Sequence, residues 1–146
     1  MQLSPHFSLS EFTHSDAAIK LGNDNEPTPE HLENLKHTAE CMELVREACG
    51  GLPITITSGY RNPVVNAHVG GVPDSDHAIG WAVDFNVSGQ TPAESSKLII
   101  AANIKFDQLI HETSRNILHI SFNPRMRHQV MTQAGGPHTS FTMGIS

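Results

Sequence analysis

Basic residues are scarce in this chain. Its 146 residues hold 9 lysines and arginines against 15 aspartates and glutamates, a formal charge of −6. Binding to phosphate needs a basic face, so nucleic acid is excluded as the main partner, and so is electrostatic adhesion to anionic polymers. Long apolar runs are also missing: nothing approaches the ~20 consecutive apolar residues of a bilayer span. The opening Met1-Gln2-Leu3-Ser4-Pro5-His6 lacks the basic head and apolar core of a secretory signal. Synthesis in the cytoplasm without a signal peptide is therefore expected. Cysteine is limited to Cys41 and Cys49, both within one helical segment from about Pro29 to Cys49. Eight residues of helix separate them by roughly 12 Å, whereas bridged Cα atoms lie within about 7 Å. Two free thiols are expected, as suits a reducing compartment.

What remains fits one soluble domain with one core, expected to be monomeric, with its core at about residues 3–125 and an extension at 126–146. Histidine, by contrast, is plentiful at ten residues. His6, His14, His31, His37, His128 and His138 have no ligand-like neighbours and are expected at the surface.

His77 and Asp84 differ from these. They lie in Ser75-Asp76-His77-Ala78-Ile79-Gly80-Trp81-Ala82-Val83-Asp84-Phe85, and His119 follows in the apolar run Ile117-Leu118-His119-Ile120-Ser121-Phe122. Two imidazoles and one carboxylate form a donor set for catalytic zinc, which keeps a fourth position open. Gly80 and Ala82 leave room for close approach between the ligands. Asp84 between Val83 and Phe85 reads as the one polar position of a half-buried strand, and a buried carboxylate needs a cation or hydrogen-bond donors. Taken alone, His77 and Asp84 also suit a loop histidine and a hydrogen-bonded structural aspartate.

Ser75-x-His77-x-x-Gly80-x-Ala82-x-Asp84 resembles the zinc motif of the D-alanyl-D-alanine carboxypeptidase and L-alanyl-D-glutamate endopeptidase family. That family includes bacterial wall peptidases, vancomycin-resistance dipeptidases and phage endolysins, and it shares its fold with the Hedgehog signalling domain. The likeness extends to Leu3 through Phe12, to Thr57-Ser58-Gly59-Tyr60-Arg61 and to Leu118 through Phe122, in the same order. The resemblance implies one zinc ion on His77, Asp84 and His119. It also implies a substrate-side role for Arg61, near the metal, and for Ser75. On sequence alone Arg61 equally suits a surface salt bridge.

The expected fold class is α+β, with helices packed on one small, largely antiparallel sheet that carries the metal. Ser8 or Ser10 caps a short helix with Glu11 in its first turn, and Thr28 caps a long helix starting at Pro29. Leu32, Leu35, Ala39, Met42 and Val45 recur on one face of that helix. Strands are expected at Leu52–Ser58 and Trp81–Val87, with a helix following Thr91. Phe106–Glu112 and Ile117–Phe122 read as a hairpin closed by Thr113-Ser114-Arg115-Asn116. After Pro124 the chain is polar and Gly-rich without periodicity.

Many members of the family carry an acid three residues before the last zinc histidine. Here that residue is Asn116, which cannot act as a base. If Glu112 pairs with Ile117, then His119 lies opposite Ile110, and residues 110, 112, 117 and 119 share one face. Glu112 is thus the expected general base, and Asp107 falls on the other face. The plainer alternative makes Glu112 a charge at a hairpin end.

The resemblance implies a zinc metallopeptidase acting on the peptide stem or cross-link of bacterial peptidoglycan. The expected form is an endopeptidase, a phage endolysin that reaches the periplasmic wall after holin release. The alternatives are a D-Ala-D-Ala carboxypeptidase and, from another class, a metal-containing wall-binding module without hydrolysis.

Overall fold

Capping residues set most helix starts. In this computed structural model, which describes residues 1–134 and 141–144, a small hairpin of β1 (Gln2–Ser4) and β2 (Phe7–Ser8) leads into helix α1 (Leu9–Thr13). The Glu11 carboxylate accepts the Ser8 N–H at 3.1 Å, closing the first turn. Helix α2 (Asp16–Leu21) follows, with the Ser15 hydroxyl accepting from Ala18 N–H and Gly22 ending it in the left-handed region. This helix is absent from the sequence expectation. It buries only Ala18, so it leaves no helical periodicity to read.

The long helix α3 (Pro29–Ala48) begins at Thr28, whose hydroxyl accepts from His31 N–H at 3.1 Å. Its buried face is Leu35, Thr38, Ala39, Met42 and Val45. Strand β3 (Ile54–Ser58), helix α4 (Pro63–His68), a 3-10 turn (Asp76–Ile79) and β4 (Ala82–Val87) come next. Helix α5 (Pro92–Ala101) starts with a reciprocal cap. Thr91 accepts from Glu94 N–H at 3.1 Å while Glu94 accepts from Thr91 N–H at 3.0 Å. The chain then forms β5 (Gln108–Glu112), β6 (Ile117–Ser121), β7 (Gln129–Gln133) and β8 (Phe141–Met143).

Six strands make one sheet in the order β3-β4-β6-β5-β7-β8. Every neighbouring pair is antiparallel except β5 and β7. The α+β expectation holds, with one parallel pair added. The core runs from Leu35, Ala39 and Met42 of α3 to Val83 and Phe85 of β4 and to Leu109, Leu118 and Ile120 of the hairpin. Since side chains alternate along a strand, the residues between these face away from the core. Asp84 pairs with His119, and His119 with Ile110, so one row across three strands carries both candidate ligands on one face.

Both cysteines are free. Burial, with Glu40 nearby, pushes the Cys41 thiol up to about 11, and burial also raises Cys49. Neither is a ready thiolate. Among the expected surface histidines, His31 is partly buried and its Nδ1 lies 3.0 Å from the Tyr60 hydroxyl, and His128 stacks on Phe106. His138 lies outside the described residues.

The stretch after Pro124 departs from expectation, because Gln129–Gln133 adds a strand beside β5. Only Val130 and Met131 in it are apolar, too few to show alternation, and its partner is distant in sequence. Asp107 fixes where it starts. This fully buried carboxylate accepts from Arg127 N at 3.0 Å, Nε at 2.8 Å and Nη2 at 2.9 Å, and Arg125 pairs with it at 3.1 Å. The bonds from Arg127 hold the Asp107 carboxyl below its ordinary range, against the effect of burial. A lowered carboxylate contributes stability that is present above its unfolded pKa and lost as pH falls through the folded one. Asp107→Asn should therefore cost about 2 kcal/mol at neutral pH. The difference from wild type should shrink below about pH 4, as measured by denaturant unfolding across that range.

Candidate metal centre

His77 enters the site on a 3-10 turn that is fixed at several points. The Ser75 hydroxyl accepts the His77 N–H at 3.2 Å. Gly80 closes the turn at φ 90°, and a Cβ there would meet the His31 carbonyl oxygen at 2.8 Å. Helix α3 grips the same turn. Asn34 donates to the Ile79 carbonyl at 2.8 Å, and the buried Thr38 hydroxyl donates to the Gly80 carbonyl at 2.7 Å. Thr38 is thus a polar residue on an apolar helix face because it holds the ligand turn.

The segment before Arg61 secures the imidazole. The Gly59 carbonyl lies 2.7 Å from His77 Nδ1. A carbonyl can only accept, so Nδ1 carries the hydrogen and Nε2 is left as the donor atom for a metal, the usual outer-shell arrangement. Gly59 itself packs against α1, where a Cβ would sit 2.5 Å from the Phe12 carbonyl oxygen. Arg61 N–H donates to the His77 carbonyl at 3.0 Å, lacing the two segments together.

Three donor atoms converge on the sheet face. Asp84 Oδ1 lies 2.9 Å from His119 Nδ1 and 3.2 Å from His77 Nε2, and the two imidazole nitrogens are 3.2 Å apart. All three fall within 4.8 Å of one another. Burial pushes the Asp84 carboxyl up, but the two imidazoles outweigh it and hold it well below the usual carboxylate range. Burial lowers His77 despite the pull of Asp84. Burial opposes charge on His119 too, yet its hydrogen bond to Asp84 and the surrounding carboxylates raise it. His77 Nε2, Asp84 Oδ1 and His119 Nδ1 thus converge as a group that could hold a metal ion.

These residues form the floor of a cleft of about 790 Å³. Glu112 is on its wall, and the observed register is the one expected, with Glu112 opposite Ile117 and Ile110 opposite His119. Ser75 and Arg61 also line it. Arg61 is pushed below its ordinary value by burial, and its Nε has no hydrogen-bond partner among the described residues. Asp76 is not part of the donor set: its carboxylate accepts from Asn123 at 3.0 Å and from Arg125 at 3.0 and 3.2 Å. His68 lies exposed at the end of α4. The residue that sequence reasoning overlooked is Arg115. It sits in the turn of the hairpin and pairs with both Glu112 and Asp84. Its spacing of three residues from Glu112 was the available signal.

Residues 5–121 match the family model described as peptidase M15. The chain belongs to the peptidase M15 family. A 49-residue stretch is 37% identical to the zinc D-Ala-D-Ala carboxypeptidase of Streptomyces albus G, covering 34% of this chain and 19% of that relative. The match thus spans about a fifth of the relative's length. Zinc is the cofactor of this M15 member, in keeping with two imidazoles and a carboxylate on one open face.

The purified protein should bind one zinc by elemental analysis. His77→Ala, Asp84→Ala and His119→Ala should each lose it, with the far-ultraviolet circular dichroism of the metal-free protein retained. Zinc affinity should fall as pH drops, because all three groups bind the metal in their deprotonated forms. Full zinc content in all three variants would place the metal elsewhere.

Proposed function

We propose that this chain is a zinc endopeptidase that hydrolyses the peptide stem or cross-link of bacterial peptidoglycan. The observation that carries the reading is the convergence of His77, Asp84 and His119 on the floor of a cleft whose walls carry Glu112 and Arg61. His77 through Nε2, Asp84 through Oδ1 and His119 through Nδ1 would hold the metal. Zinc, when bound, supplies Lewis acidity toward a carbonyl and lowers the pKa of water.

Glu112 is the proton carrier in this reading. It sits diagonal to His119 across the hairpin, a separation of about 7–8 Å between backbones that a long side chain can span. It would take a proton from the attacking water and deliver it to the leaving amine. Arg61 lines the cleft, where its guanidinium would meet a carbonyl or carboxylate oxygen of the substrate and stabilise developing negative charge. Ser75 orients His77 through its N–H and lies on the cleft surface to meet the substrate.

The cleft, of about 790 Å³, is lined by residues from several segments, among them His14, Val69 and Gln133. The second reading is a D-Ala-D-Ala carboxypeptidase, favoured by the name of the Streptomyces relative. The setting we propose is bacteriolytic, a single catalytic domain of an endolysin made in the cytoplasm that reaches the wall once a holin opens the membrane. None of the helices among the described residues is long and apolar enough to cross a bilayer.

Digestion of purified Gram-negative sacculi should release soluble muropeptides with new amino termini, identified by mass spectrometry. Free D-Ala as the sole product would replace the endopeptidase reading with the carboxypeptidase one. Absence of any product from the zinc-loaded protein would leave a wall-binding module. Glu112→Gln should lower kcat by roughly 10²–10⁴-fold while the zinc content stays at wild-type level.

A further inference from the structure

Arg115 has no part in the donor set or in the roles assigned to Glu112 and Arg61, yet it touches both halves of the site. Its Nη2 lies 3.5 Å from Asp84 Oδ2 and pairs with Glu112 Oε1. The other oxygen of Asp84, Oδ1, is the one that faces His77 and His119. The Arg115 side chain is 45% exposed, whereas the Asp84 and Glu112 side chains are 1% and 9% exposed. One half-exposed cation therefore neutralises two buried carboxylates from the rim of the cleft.

The hairpin turn aims it there. Asn116 takes a left-handed φ of 54°, which asparagine tolerates, and the Arg115 N–H points back to the Glu112 carbonyl at 3.3 Å. Two other arginines of the cleft are committed elsewhere, Arg125 to Asp76 and Asp107 and Arg127 to Asp107. A planar fork shared by two carboxylates restricts their angles as well as their distances.

We propose that Arg115 is a positioning residue for the zinc site. By holding Oδ2 it keeps Oδ1 of Asp84 turned to the metal, and by holding Oε1 it keeps Glu112 over the same point. The chain has no acid at residue 116, so its carboxylate reaches the site from a strand with a long, rotatable side chain. Arg115 removes that freedom. The inference rests on the reading of His77, Asp84 and His119 as zinc ligands. It adds that a turn residue sets both metal affinity and turnover.

Zinc affinity, measured by competition with a chelating dye, separates this role from substrate binding. Arg115→Ala should weaken zinc binding by roughly 10–100-fold, the usual effect of losing an outer-shell partner. At saturating zinc it should lower kcat on a stem peptide and leave KM unchanged. Arg115→Lys should lie between, since an ammonium keeps the charge but not the fork. Glu112→Gln should lower kcat and leave zinc affinity as in wild type. Thermal melting of the metal-free proteins checks that each variant folds. Unchanged or tighter zinc binding in Arg115→Ala would overturn the proposal. So would a rise in KM alone, which would make Arg115 a substrate contact. Wild-type zinc affinity in His77→Ala, in the same assay, would instead remove the ligand set beneath the proposal.

Discussion

Two imidazoles and a carboxylate, packed against one another at 2.9–3.2 Å in the lining of the cleft, form the constraint from which the rest follows. Three lone-pair donors pointing at one spot repel unless something positive sits between them. A zinc ion held by the three would supply that charge. The protein must hold these groups together against that repulsion. Its means are a row of paired strand residues and a turn clamped by α3.

The two means act on different ligands. Sheet register places Asp84 and His119 side by side, because β4 and β6 pair them directly while Val83, Phe85, Leu118 and Ile120 anchor the same strands in the core. A slip of one residue would turn both ligands into the core. His77 has no strand to hold it. Its turn is pinned by Asn34 and Thr38 of α3 and by the Gly59 carbonyl, and Gly59 can pack against the Phe12 backbone of α1 only because it lacks a Cβ. The catalytic geometry thus depends on the long helix as much as on the sheet.

Local chemistry was legible in the sequence and distant pairing was not. Thr28, Thr91 and Ser8 marked their helix starts because capping acts over three residues. The parity of the β5–β6 hairpin could be derived because four turn residues fixed its register, and it placed Glu112 and His119 on one face as observed. Strand β7 was missed since its pairing with β5 depends on Asp107 and Arg127, twenty residues apart. Thr38 was unreadable for a similar reason: its partner, the Gly80 carbonyl, is a backbone atom 42 residues away. Among the site residues, the donor set stood out through residue type and order. Arg115 did not, because its three-residue spacing from Glu112 shows one partner, while its other, Asp84, lies on a different strand.

The cleft gathers arginines beside carboxylates such as Asp76, Asp84 and Glu112. Arg61, Arg115, Arg125 and Arg127 all line it, although the chain carries a formal charge of −6. Arg115, Arg125 and Arg127 pair with carboxylates of the chain itself. X-ray absorption at the zinc edge tests the central claim most directly. The account predicts a low-coordinate shell of two imidazoles and one carboxylate with nitrogen and oxygen at about 2.0–2.2 Å and an exchangeable light ligand. A sulfur scatterer at about 2.3 Å, or a shell without histidine, would contradict it.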